Sequence, residues 1–184
     1  IGNTEPKRIC GTGYLSLLDA LLRTGFLDAT GRLASASVSP LAARLLGTVE
    51  RGAAGWSLPL PGGMELAGAD VEEILKVKAA FSLALERLLA ASGLESRALA
   101  RVCLGGALGE HMPETALERL GFLSQGLQAR TVAEGNTSLR GAALLLTRPE
   151  LRERLVRWSS GCTLVDLAAR PDFTALYMRH MVFG

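Results

Sequence analysis

Only three cysteines occur in the 184 residues, Cys10, Cys103 and Cys162, with no CxxC pair and no neighbouring pair of histidines. Such spacing excludes a cysteine metal cluster and a disulfide framework, and fits a reducing, cytoplasmic compartment. No charge sign dominates: 20 Lys+Arg face 18 Asp+Glu, for a net charge of +2. That balance gives no electrostatic reason to expect nucleic acid as a partner. No apolar run approaches the ~20 residues of a membrane helix, so no membrane association is expected. Aromatics are few, at 5%, yet 48% of residues are apolar. A chain this apolar and this weakly charged is not disordered. Neither a Walker phosphate loop nor a full G-x-G-x-x-G fingerprint is present. Spacing supports no Ser-His-Asp triad, no paired carboxylates and no internal repeat.

The length predicts one compact domain that buries roughly two thirds of its surface. The chain opens Ile1-Gly2-Asn3-Thr4-Glu5, without initiator Met, signal segment or transit character, and is expected to be a piece of a longer protein. Tyr14, Leu17, Leu18, Leu21 and Leu22 predict a first helix closed by Gly25. Segment 28–68 is broken by Gly and Pro, and reads as short strands or a hairpin with one helical turn near 41–46: a small subdomain or insertion. Asp70-Val71-Glu72-Glu73 has the D-x-x-E form of a capping box. It predicts a helix of ~33 Å whose apolar positions are Ile74, Val77, Phe81, Leu85, Leu88 and Leu89, up to Gly93. A short buried strand at 101–104, a helix led by Pro113 and closed by Gly121, and a strand near 129–133 follow. A helix through Gly141 to Leu146, another from Pro149 to Trp158, a strand near 163–167 and a helix from Pro171 or Asp172 complete the reading. Strands alternating with helices predict an α/β layered domain.

Three glycine-bearing junctions stand out: Gly11-Thr12-Gly13, Gly105-Gly106 and Gly135-Asn136-Thr137. Glycine lets a ligand approach the backbone, and free amides at a helix start attract anions. Singly each reads as an ordinary tight turn; two of them fall where α/β sheets bind ligands, beyond the carboxyl ends of strands. Cys10 abuts a helix start, which lowers a thiol pKa; with no base nearby it reads as a small buried residue, and Cys103 reads as core. His111 lies near the glycines but reads as a surface or capping residue, and His180 as structural or exposed. Arg148, Arg152, Arg154 and Arg157 alternate with Glu150 and Glu153. They read as a solvated helix face, with an acidic partner as the alternative.

Taken in order, these motifs resemble the second half of the ribonuclease-H-like, actin/sugar-kinase/Hsp70 ATPase fold. More narrowly, the chain is similar to the C-terminal ATPase region of the reductive activators of corrinoid proteins. The residues that carry the resemblance are Cys10-Gly11-Thr12-Gly13 with its leucine-rich helix, Lys78-Ala79-Ala80-Phe81, and Leu104-Gly105-Gly106-Ala107-Leu108-Gly109. Pro113-Glu114-Thr115-Ala116 with Gly121-Phe122-Leu123, Gly135-Asn136 with Gly141-Ala142, and Pro171-Asp172-Phe173 with Met181-Val182-Phe183 complete it. The resemblance implies an actin-type lobe, residues 1–184, with 28–68 as its insertion. It implies an activator that uses ATP with Mg to drive electrons from an iron–sulfur centre onto Co(II) corrinoid, restoring Co(I). It places Gly105, Gly106 and Gly109 against the adenosine, Lys78 near purine or ribose, and Gly11, Thr12 and Gly13 near the phosphates. Gly135 and Asn136 complete the nucleotide-binding set; no catalytic residue and no metal ligand is assigned to this stretch. The first lobe with its phosphate loops and metal-handling Asp, and the ferredoxin domain with the cluster, are expected upstream of Ile1. This stretch alone is therefore expected to be inactive. The implied partners are the corrinoid protein, those upstream domains, and a second copy in a homodimer. Ala107 stands where the family usually has Phe. A 2-hydroxyacyl-CoA dehydratase activator and a non-catalytic interaction module remain as alternatives.

Overall fold

The computed structural model describes residues 6–35, 39–106 and 114–184. Helix α1 (Gly11–Thr24) buries Leu15, Leu18 and Leu21, which recur at helical spacing. It ends as predicted at Gly25 (φ 75°), with the Phe26 amide donating to the Leu21 carbonyl at 2.9 Å and the Gly25 amide to Leu22 at 3.1 Å. This is the Schellman closure, which needs a left-handed residue and so favours glycine. The same pair of hydrogen bonds ends two later helices, at Gly93-Leu94 and Gly121-Phe122. Helix α2 (Pro40–Leu46) is the predicted turn near 41–46, opened by Pro40 and by the Ser39 hydroxyl, which accepts from the Ala42 amide at 3.1 Å.

Strands β1 (Glu50–Gly52), β2 (Gly55–Leu60) and β3 (Met64–Ala67) form an antiparallel meander, β1-β2-β3. Leu58 and Leu66 are register partners on its buried face. Helix α3 (Gly68–Ala91) follows at once and is ~36 Å long at 1.5 Å per residue. It starts two residues before the expected cap. Ala67 is the N-cap, and Asp70, inside the first turn, accepts from the Ala67 amide at 3.0 Å. Only this half of a capping box forms, because an alanine side chain accepts nothing. The buried face differs too: Val71, Leu75, Lys78, Ala79 and Leu83 point inward, while Val77, Phe81 and Leu88 are exposed. Apolar residues surround much of α3, so periodicity alone did not select the inner stripe.

Strands β4 (Val102–Leu104) and β5 (Thr131–Ala133) pair in parallel, with Cys103 opposite Val132. Both of those residues are exposed, which corrects the expectation of a buried strand with Cys103 in the core. One face of the pair is covered only in part, at Val102 and Leu104, and the other is open. Helix α4 (Glu114–Arg119) lies between them in sequence, and α5 (Thr137–Thr147), α6 (Leu151–Ser160) and α7 (Phe173–Arg179) follow. The strand expected near 163–167 does not form: the segment joins no ladder among the described residues, and Leu164 is 89% exposed. Without a neighbouring strand its backbone groups have no partners, so an apolar run there stays irregular.

One buried cluster joins α1, β2, β3, α3, α4 and the chain end, through residues such as Leu18, Phe26, Leu66, Leu75, Leu120 and Phe183. Segment 28–68 contributes Ala42, Leu58 and Leu66 to that same cluster. Phe26 meets Trp56 edge-on at 6.0 Å. Across the α1–α4 contact, Arg119 Nε donates to Asp19 Oδ1 at 2.6 Å and its second nitrogen to Oδ2 at 2.7 Å. This two-pronged pair fixes the helices in angle as well as distance. Helix α7 lies along α3, where Tyr177 Oη donates to the Lys76 carbonyl at 3.1 Å and Arg179 reaches Glu86.

Candidate functional site

Because β4 and β5 are parallel neighbours, the turns that leave them emerge side by side. The Glu134 amide donates to the Leu104 carbonyl and the Gly106 amide to the Gly135 carbonyl, each at 2.8 Å. Two of the three glycine junctions are thus brought together. Gly106 (φ 96°) and Gly135 (φ 65°) occupy left-handed backbone, and a Cβ on either would meet nothing within 4 Å among the described residues. No described residue therefore covers either peptide. Gly105 is the opposite case: a Cβ there would lie 2.3 Å from Thr137 Oγ1, so the two turns close on each other only over a glycine. Asn136 caps α5, its Oδ1 accepting from the Leu139 amide at 3.0 Å. Thr137 was named in the sequence as part of its own junction, but its contact with Gly105 was not, because nothing there signals contact across two separate turns. Gly109, Ala107, His111 and Pro113 lie outside the described residues.

Gly11, Thr12 and Gly13 form the first turn of α1, with Cys10 as its extended N-cap. No hydrogen bond joins this turn to the β4–β5 junction among the described residues. Cys10 is exposed, correcting the expectation of burial; as the cap it stands outside the helix, whose inner face begins at Leu15. Its Sγ lies 3.2 Å from Thr12 Oγ1. That hydroxyl, then the Gly13 amide, holds the thiol below the usual range by stabilising the thiolate. Alkylation of Cys10, followed by peptide mass spectrometry across pH, will therefore show a midpoint below that of an ordinary thiol. In the Thr12→Val variant the midpoint will move upward; an unchanged midpoint would show that the hydroxyl does not act.

Lys78 is 3% exposed, and its Nζ donates to the carbonyls of Val182 at 2.6 Å and His180 at 3.1 Å. Burial holds this ammonium below the usual lysine range. Nearby, Ser82 Oγ is 2.9 Å from His180 Nδ1, and His180 Nε2 is 3.0 Å from Glu86 Oε2. His180 thus has the structural role expected of it. These residues border a groove of about 960 Å³ between α3, α4 and the chain end, which no sequence motif signalled. The structure therefore sets Lys78 on the chain end and the Gly105–Gly135 junction on the parallel strands.

A parallel strand pair feeding glycine turns and helices, beside a helix-packed antiparallel sheet, is the arrangement of an ASKHA-type domain, the actin/sugar-kinase/Hsp70 class. Residues 1–184 match the family model described as the C-terminal domain of RACo, the ASKHA domain, and the chain belongs to that family. Its fold is similar to a solved structure named reductive activator for corrinoid, iron–sulfur protein, with a TM-score of 0.83 and 21% sequence identity. That likeness covers 99% of this chain and 29% of the other, so the chain spans less than a third of the solved protein. No curated protein matches the sequence. No helix among the described residues is long and apolar enough to cross a membrane.

Proposed function

We propose that this chain is the nucleotide-binding lobe of an ATP-driven, iron–sulfur-containing activator that returns a corrinoid protein from Co(II) to Co(I). The observation that carries the reading is the match of the whole chain to the RACo ASKHA family. The junction of Gly105-Gly106 with Gly135-Asn136 supports it, since glycine backbone beyond parallel strands, uncovered among the described residues, suits a nucleotide. On this reading Gly105, Gly106 and Gly109 present backbone to the adenosine, and Asn136 fixes the start of α5 beside it. Gly11, Thr12 and Gly13 approach the phosphates when the remaining lobe closes.

ATP with Mg, when bound, supplies the free energy for an uphill one-electron step. A low-potential iron–sulfur centre held elsewhere in the polypeptide would supply one electron to the partner's Co(II). This lobe contributes differential binding: closure on nucleotide changes the affinity for the corrinoid partner, and that difference couples the two events. The test uses the full polypeptide with its cluster, a strong reductant, and the corrinoid protein, followed by cobalt absorption with and without ATP. ATP-dependent appearance of Co(I) is the expected result. Nucleotide binding without any Co(I) would overturn the activator role, and absence of nucleotide binding would leave a non-catalytic module.

A further inference from the structure

The hairpin of α5 and α6 buries none of its residues. Soluble helices normally hide one stripe in a core, yet here Leu139 is 65% exposed, Leu146 75%, Val156 63% and Trp158 71%. Between the helices a cleft of about 350 Å³ is lined by Gly141, Leu144, Leu151, Arg154, Leu155 and Trp158. An exposed Trp beside an apolar cleft is the composition of an interface centre, where a few large anchors carry most of the binding energy. The charge of this helix pair is unlike that of the rest of this nearly neutral chain, and of its arginines Arg154 lines the cleft. Residues 137–160 hold five arginines, at 140, 148, 152, 154 and 157, against Glu150 and Glu153, leaving three positive charges in excess.

Three of these five arginines are not consumed in ion pairs among the described residues. Arg157 lies 3.8 Å from Glu153 and Arg140 3.4 Å from Glu134, while no ion pair involves Arg148, Arg152 or Arg154 among the described residues. A second copy docking face to face would set one positive helix pair against another, which a two-fold contact repeats on both sides. The charge therefore favours an acidic occupant over a copy of this chain. We infer that the α5–α6 face is the docking surface for a protein partner whose apolar contact is ringed by carboxylates, and that this partner is the corrinoid protein. The identity of the partner rests on the activator reading; the acidic, apolar-centred chemistry rests on the face itself.

The test titrates the full polypeptide with the purified corrinoid protein at several salt concentrations. Trp158→Ala is expected to weaken binding about 30-fold or more, as loss of a central anchor does. The double variant Arg152→Glu/Arg154→Glu is expected to slow association about tenfold and to flatten its salt dependence. Both substitutions lie on exposed positions, so nucleotide affinity should stay unchanged. Binding equal to wild type in both variants would overturn the assignment while leaving the activator reading intact. Failure of the unaltered protein to bind the corrinoid protein would overturn both. Hydroxyl-radical footprinting of Trp158 before the partner is added supplies a further arm. Protection already present there would show that the same polypeptide or a second copy covers the face, and would sink the proposal.

Discussion

On the proposed nucleotide-lobe reading, the Gly105→Ala variant is expected to lose about 100-fold in ATP turnover by the full polypeptide, and the second change Thr137→Ala to restore much of it. A new Cβ at 105 would stand 2.3 Å from Thr137 Oγ1, 3.2 Å from its Cγ2 and 3.3 Å from its Cβ. The first distance is impossible for non-bonded atoms, so either the β4 turn or the head of α5 must move by about 1 Å. Misplacement of that size in a positioning element costs about 100-fold, and overpacking costs about 1–3 kcal/mol of stability. The Thr137→Ala change removes Oγ1 and Cγ2 and leaves only the 3.3 Å contact, which a small shift relieves. Gly106→Ala is the control. It meets no atom within 4 Å among the described residues but is held at φ 96°, so it tests backbone strain with no clash against them. Turnover, nucleotide affinity and thermal unfolding would be measured on all four proteins. A folded Gly105→Ala protein with unaltered affinity and turnover would remove the junction from the nucleotide site.

What could be read in the sequence follows from how local each signal is. Gly25, Gly93 and Gly121 each end a helix and are followed by an apolar residue, because the Schellman closure is made by residues only a few positions apart. Strand–helix alternation implied a layered α/β domain, the structure pairs β4 with β5 in parallel, and the glycines after each strand marked where a site can lie. The inner face of α3 was not legible, since Val77, Phe81 and Leu88 are as apolar as the residues that turn inward. The exposure of Cys103 and Val132 depends on what covers a two-stranded sheet, and no pattern within 184 residues encodes that. The same holds for the 163–167 segment, whose apolar residues promised a strand that finds no ladder to join. Thr137 and the groove beside Lys78 arise from contacts between distant parts of the chain, which spacing does not reveal.

Lys78→Met is expected to lower stability by about 2–3 kcal/mol and to expose the chain end. The side chain is buried, and its ammonium is the hydrogen-bond donor to two carbonyls, those of His180 and Val182. Methionine fills similar volume but donates nothing, so the carbonyls lose their partners, and hydrogen bonds to a charged group are worth about 1.5–3 kcal/mol. Phe183, 5% exposed in the core, is anchored between that clamp and the 2.7 Å hydrogen bond from its own amide to the Ala29 carbonyl. Hydrogen exchange should therefore rise at Phe183 before it rises in β2 and β3. The pH dependence has a defined sign. Burial places the folded-state pKa of Lys78 below its unfolded value, so the unfolded chain binds more protons in the window between them. In that window the native protein gains stability as pH rises, and Lys78→Met should lack this gain. Fluorescence-monitored urea unfolding at several alkaline pH values reads both effects. Loss of nucleotide affinity with stability and exchange unchanged would assign Lys78 to the ligand instead of the chain end.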